Sequence, residues 1–446
     1  IFSGNYSRAV NNGTINYYAL SSDSSSGSSG SGSSSSGDST TSTDTGSLAD
    51  AYSLNVKQKI MTTKSPTASS ATTSTTEKVE NYGIIKALSS NTAAMAAETK
   101  QGQAYNKGTI NIETDSVVNN KQYNVGMYMG ADTLSSAQLA NDGNINIRSN
   151  YSVGMASESN SISSVLNQEN GVINVYGNKS FGMYSTGNSY LYNNGIINLY
   201  GDNNVAIYSK GTGTGADTPY IKNNKVKIYG KYAIVFQIAG NAIVETPGSV
   251  EACSASEAGC NAEALSTMTY YYISSGGNLT LSATQSLTAG TLVKLANSGK
   301  VNISESANLS LLLGAENGKI IDASSGGTVT NNGTLNLFST KNSTAISAGS
   351  GATVENYGNI NITQTDTASG TGNIGILSSG AEVKNNGNIT ISTRDSYGMS
   401  ISGGKTTNNS NITVTTSNST GVLLTGGEFE NASSGVITIR SGNPQN

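Results

Sequence analysis

The sequence predicts an all-β chain: a parallel, right-handed β-helix (β-solenoid) of roughly fifteen coils, interrupted by two loop insertions. Two recurring phrases and one spacing carry that expectation. The first phrase is N-x-G-x-I-N-I, which begins at Asn11 (NNGTINY), Asn81 (NYGIIKA), Asn106 (NKGTINI), Asn141 (NDGNINI) and Asn193 (NNGIINL). It returns at Asn331 (NNGTLNL), Asn356 (NYGNINI) and Asn385 (NNGNITI). The second is a small residue followed by an apolar one, as in Gly126-Met127, Gly154-Met155, Gly182-Met183, Ala206-Ile207, Gly375-Ile376, Gly398-Met399 and Gly421-Val422. Successive copies lie about 20 to 30 residues apart, a period at which each repeat is one supersecondary unit stacked on its neighbours.

Each element follows from short-range chemistry. In GTINIE, Ile110 and Ile112 share one face while Asn111 points the other way, which is strand periodicity over a run too short for a helix. The Asn and Gly that open each run are turn residues tolerant of positive φ. One repeat cannot bury its own isoleucine row, whereas stacking at about 4.8 Å per layer lines Ile and Met up in inner columns. The recurrent Asn is expected to stack as a ladder of side-chain amides. The small residue before each Met marks a position where a larger side chain clashes. Fifteen layers make a rod about 70 Å long. An antiparallel sandwich or propeller needs hairpin turns between most strands or a period near 40 to 50, and neither is present.

The organisation expected along the chain is one coil over 1–20, a Ser-rich insertion over 21–80, β-helix over 81–239, a second insertion over 240–276, and β-helix over 277–446. The first insertion opens on SSDSSSGSSGSGSSSSGDSTTSTDTG, a tract with no packing capacity. Leu48, Tyr52, Leu54, Val56 and Ile60 then offer a small docked hairpin or short helix; a solvated excursion is the plainer alternative. The second insertion holds CSASEAGC, four glutamates (Glu245, Glu251, Glu257, Glu263) and the run Tyr270, Tyr271, Tyr272. Beyond it the copies come closer, nearer 20 residues apart.

Composition excludes much. The chain has no His and no Trp, which removes every Ser-His-Asp, Cys-His and His-metal arrangement within it. Charged residues are 12% with a net charge of −4, so nothing favours nucleic acid or an anionic membrane. No apolar stretch approaches the ~20 residues of a membrane-spanning helix. The opening IFSGNYSRAV begins in mid-pattern without a signal peptide and reads as the start of an excised piece. Cys253 and Cys260 are the only cysteines and are close enough to pair, which suits an exported protein; two buried thiols are the alternative.

Interruptions of a regular repeat are where function concentrates. Three consecutive tyrosines on a strand put at least one ring outward, and tyrosine favours interfaces. Tyr270, Tyr271 and Tyr272, with Glu251 and Glu257, are therefore the candidate ligand- or receptor-binding residues; enlarged-coil packing is the competing reading. Catalytic and metal-binding residues are not expected, and no cofactor. Asp115, Asp142, Asp202, Asp322, Asp366 and Asp395 scatter over differing repeat positions and form no carboxylate pair of the glycosidase type. GTGTGAD at 211–217 occurs once, without the tandem copies that calcium-binding repeats need, and no T-x-T ladder of the ice-binding kind recurs.

The NNGxINI…SxGMY style, as in Asn141 to Ile147 with Ser152 to Met155, resembles the passenger regions of large bacterial type V autotransporters, especially the giant fusobacterial outer-membrane adhesins. The likeness covers most of 81–239 and 328–440. It implies an extracellular passenger on the bacterial surface, secreted through a C-terminal outer-membrane β-barrel that this sequence lacks. It also implies adhesion, either to galactose or N-acetylgalactosamine glycans, to an inhibitory immunoglobulin-type host receptor, or to other bacteria in coaggregation. The expectation is a non-catalytic, monomeric adhesin rod; the alternatives are a structural spacer and a carbohydrate-active β-helix enzyme.

Overall fold

The computed structural model describes residues 2–3, 8–17, 58–63, 77–89, 91–98, 101–113, 124–130, 136–214, 218–254, 256–364 and 371–440. Among these every paired strand is parallel to its neighbours and no helix occurs, so the parallel β-solenoid is the fold. A typical coil runs Val153–Ser157, Ser164–Asn167 and Val172–Val175 before Phe181–Ser185 starts the next. Thirteen parallel pairings carry one face of the rod from Gln58–Thr63 to Thr420–Leu424. The strand Gln58–Thr63 is thus a rung inside the stretch expected as the first insertion. The expected hairpin or helix from Leu48 to Val56 lies outside the described residues.

Coil length does not settle near 20 after the second insertion. Thr269 pairs with Thr291, a step of 22, but Thr291 pairs with Lys319, a step of 28, and Thr344 with Ile374, a step of 30. Extra residues are accommodated at the corners between strands, where a loop costs little.

The apolar alternation becomes inner columns. Ile110, Ile145, Ile173 and Ile197 stack in register and are fully buried, as are Met95, Met127, Met155 and Met183. The small residue before each Met is a steric necessity. A Cβ on Gly154 stands 2.6 Å from the Gly182 carbonyl and 2.8 Å from Ile173 Cγ2. This column is not uniform along the rod: Gly154, Gly182 and Ala206 give way to Val235, Tyr270, Leu292 and Ile320, then return to Ala345, Gly375 and Gly398. The middle coils admit large side chains where the outer ones admit none.

The amide ladder exists and is buried. Each Nδ2 donates to the Oδ1 one coil on, from Asn11 through Asn81, Asn106, Asn141, Asn167 and Asn193 to Asn223, every bond at 2.7 Å. It ends where Asn223 donates instead to the Pro247 carbonyl at 2.9 Å. A second ladder runs Asn331, Asn356, Asn385, Asn408, Asn431 at 2.6 to 2.8 Å. Most of these amides also close their own turn, as Asn141 does on the Gly143 carbonyl at 3.1 Å.

The glycine of N-x-G answers a different need from the positive φ expected of it. Gly83, Gly108, Gly143 and Gly358 keep φ outside the left-handed region; a Cβ on Gly358 meets the Gly333 carbonyl at 1.8 Å, and one on Gly83 meets that of Gly13 at 1.9 Å. Stacking of turn on turn leaves no room for a side chain. Positive φ occurs at another corner, two residues before a rung begins, at Tyr151 (φ 54°), Lys179 (φ 53°), Asn203 (φ 57°) and Tyr232 (φ 56°). The residue after that corner is polar in the earlier coils, and its backbone N–H receives a side-chain oxygen from the next coil: Ser152 N donates to Ser180 Oγ and Ser180 N to Asn204 Oδ1.

Candidate functional site

The polar-aromatic exterior between residues 176 and 263 spans three coils, and its charged part is built by one step of the solenoid, from the coil of Tyr220–Ile228 to the excursion that follows it. Tyr220–Ile228 alternates sides, so Ile221, Val226 and Ile228 enter the core while Lys222, Lys225 and Lys227 stay outside. The next coil supplies Asn241–Thr246 and Ser249–Ala252, both rungs, and only then a non-strand segment that returns to the rod at Thr269–Ile273.

Across this step four lysines meet four glutamates. Lys222 pairs with Glu245 at 3.2 Å, Lys225 with Glu251 at 2.7 Å, Lys227 with Glu257 at 2.6 Å and Lys231 with Glu263 at 2.6 Å. The acidic group read from the sequence is therefore neutralised by cations from the coil below. The hydrogen bond from Lys227 holds the Glu257 carboxyl below its ordinary range and lifts Lys227 above its own; the Lys231 ammonium is raised by its bond to Glu263. Cys253 and Cys260 form a disulfide, with Cα atoms 5.5 Å apart. The bridge closes a turn docked on the previous coil, since Cys253 N donates to the Ile228 carbonyl and Asn261 N to that of Tyr229.

Tyr270, Tyr271 and Tyr272 correct the expectation of an outward ring: they are 1%, 1% and 5% exposed. Tyr270 and Tyr271 fill the enlarged interior, where Tyr271 stacks on Phe236 with centroids 5.3 Å apart. Burial pushes both phenols well up. Their hydroxyls serve the fold: Tyr270 donates to the Pro247 carbonyl at 2.7 Å and Tyr271 to Gln285 Oε1 at 2.7 Å. Tyr272 packs on the outer apolar row with Tyr208 and Ile234.

The outward aromatics lie one and two coils earlier. Tyr176, Tyr200 and Tyr229 stack along the rod with centroids 4.5 and 4.2 Å apart, and the Arg148 guanidinium lies 4.9 Å over Tyr176. Exposure falls from 37% at Tyr176 to 7% at Tyr229, which lies beside the disulfide turn. Burial, with the neighbouring Tyr229, pushes the Tyr200 phenol up to about 12. Tyr190, Tyr192 and Tyr220 flank them, with Lys222 5.3 Å over the Tyr192 ring. Sequence reasoning missed this surface although it carried a signal: tyrosines recur one coil apart at 176, 200 and 229, and each lysine precedes its glutamate by one coil.

Among the described residues no group of three or more His, Cys, Asp or Glu is placed to hold a metal, and no helix is long and apolar enough to cross a membrane. The surface offers rings, ammonium groups and paired carboxylates, a set suited to contact. Comparison with curated proteins and with solved structures gives no match. Residues 1–168, 149–225 and 267–446 each match the family described as the BigA third pectate lyase-like domain, leaving 226–266, with the four glutamates, Lys227, Lys231 and the disulfide, outside the matched segments. A β-helix of that kind is an autotransporter-like passenger domain of a surface-exposed bacterial protein, and over most of its length this chain belongs to the BigA third pectate lyase-like domain family.

Proposed function

We propose that the chain is a non-catalytic adhesin rod whose contact surface is the tyrosine- and lysine-bearing exterior from Tyr176 to Glu263, and whose partner is a host-cell protein of the immunoglobulin-type receptor class. One observation carries the choice of protein over glycan. A sugar ring binds an aromatic residue through the ring face, yet Tyr200 is sandwiched between Tyr176 and Tyr229, and Tyr176 lies under Arg148. The faces are occupied within the stack, and what remains outward is a row of ring edges and hydroxyls. That is the surface a flat protein interface uses, where tyrosine gives contact area at low conformational cost. Glu251 and Glu257 contribute as members of ion pairs at the margin of this surface, while Tyr270 and Tyr271 fill the core and Tyr272 packs in the outer apolar row. The lack of histidine and the pairing of the four glutamates speak against hydrolysis.

The test is binding of the purified chain to host cells, with and without excess galactose, beside a Tyr176→Ser, Tyr192→Ser double variant. Binding that ignores galactose and falls at least tenfold in the variant supports a protein receptor. Binding abolished by galactose transfers the site to a lectin surface. Absence of binding makes the chain a spacer, and release of reducing ends from polysaccharide makes it an enzyme.

A further inference from the structure

We propose that residues 241–268 form an ion-clamped flap: the four Lys–Glu pairs hold it on the coil of Tyr220–Ile228, and acid or high salt loosens it alone, exposing Tyr229 while the rest of the solenoid stays closed. The inference stands apart from the identity of any partner.

Three observations place the weak step here. The buried amide ladder that ties the earlier coils from Asn11 to Asn223 stops at this step, with a single bond to the Pro247 carbonyl as its last contact. Strand pairing is irregular in the first of the two rungs there, the register shifting between Ile221 and Lys222 and only part of Asn241–Thr246 facing its neighbour, while Ser249–Ala252 pairs regularly with Lys225–Ile228. In place of the ladder stand the ion pairs, joining residues 23, 26, 30 and 32 apart. No other step of the described solenoid holds such a set.

The charges facing these glutamates come from below only. Lys222, Lys225, Lys227 and Lys231 belong to the preceding coil, where Asp202 accepts from the Lys231 backbone N–H and the phenols of Tyr192, Tyr200, Tyr220 and Tyr229 lie alongside. The next coil above, residues 277–288, carries no charged residue. Glu257 is also held by the Tyr229 phenol and the Ser254 backbone, so loss of Lys227 weakens its anchorage without removing it. The sign follows from geometry and linkage together. Glu257 is held below its ordinary range, so its contribution is full above that range and lost as pH falls through the lowered value. Lys227 is raised, so its contribution persists until pH climbs past the ordinary lysine range, about 10. The clamp is therefore closed at neutral pH and opens on the acid side. Each pair is exposed and individually weak, and salt screens all four at once. The disulfide remains intact throughout and limits the movement of residues 253–260.

Hydrogen exchange read by mass spectrometry on the whole chain tests this. From pH 7 to pH 3, below the ordinary carboxylate range, and after correction for intrinsic exchange, peptides within 241–268 should speed up about tenfold, and likewise at pH 7 in 1 M salt. Peptides from 153–199 and 371–424 serve as internal controls and should not change. A variant with Glu245, Glu251, Glu257 and Glu263 all changed to Gln should exchange fast at pH 7 and ignore both pH and salt. Equal protection of 241–268 under all conditions, or a rise shared by the control peptides, overturns the proposal; the salt arm uses the native chain and decides the matter even if the fourfold variant does not fold.

Discussion

Two regions of one rod solve the same corner in opposite ways. Between Asn81 and Asn223 the column at the turn is a chain of buried amides, and from Asn81 to Asn167 each is satisfied by the coil before, the coil after and its own turn. In the middle coils the same column is apolar: Leu281 stacks on Ile303, and Ile303 on Asn331, where the ladder resumes. Both versions are buried and both keep register. The difference teaches what the amides are for. Apolar contact fixes which face is inside, but it tolerates sliding, whereas an amide that donates to the coil after and accepts from the coil before admits a single pairing. The middle coils do without that device and carry larger interior groups instead, Tyr270, Tyr271, Leu292 and Ile320.

The largest effect belongs to the stacked turns. Gly358→Ala places a methyl 1.8 Å from the Gly333 carbonyl and should cost about 3 kcal/mol in chemical denaturation followed by circular dichroism. Gly314→Ala, at φ 95° with open space around it, should cost only about 1 kcal/mol. Equal losses would mean that the stacked turns relax around a methyl and that close stacking is not what requires glycine in the N-x-G turn.

Next comes an exchange of the two column types. Asn167→Leu leaves the Asn193 Oδ1 without its donor and should destabilise by about 2 kcal/mol. Ile303→Asn supplies a donor directly below Asn331 and should cost less, about 1 kcal/mol, because the new amide can extend the upper ladder. A greater cost for Ile303→Asn would show that the middle coils have lost the geometry for amides altogether.

The smallest effect lies at the left-handed corners. Tyr232 holds φ 56° with 43% of its surface exposed, so Tyr232→Gly should stabilise by about 0.5 kcal/mol, the relief of strain exceeding the added chain entropy. A loss in the same denaturation assay would assign the ring a contact worth more than the strain.

Most of the fold was legible because a solenoid writes its period into the sequence. The Ile row, the Met column, the amide ladder and the tight position beside each Met all came from short repeats whose partners are one period away. Glycine was misread for a physical reason: in isolation Asn-x-Gly speaks of φ, and only the stacked structure reveals the carbonyl of the turn below. The polar residue that precedes these rungs, as in Ser152 and Ser180, shows in the sequence as the serine of SxGMY, but its role does not, because its partner is a backbone N–H, which leaves no pattern of residue types. The site was half legible. The disulfide was found from spacing, but the tyrosine run misled because both faces of that strand are covered, Tyr270 and Tyr271 by the core and Tyr272 by the outer apolar row. The ring surface that does face outward is spread over three coils, visible only when residues 24 and 29 apart are laid side by side.

Because every strand runs across the axis of the rod, tension applied from end to end acts along the bonds between coils and pulls them open in series. The fold therefore yields by peeling, one coil at a time. The coil that begins at Tyr397 takes 23 residues to reach its partner Thr420 on the next rung, and it releases about 80 Å of chain when it lets go. The bridge from Cys253 to Cys260 withholds about 25 Å of that slack within its own coil. Such a rod is a shock absorber with a step size written into its repeat, giving ground in measured lengths under flow while the remaining coils keep their shape.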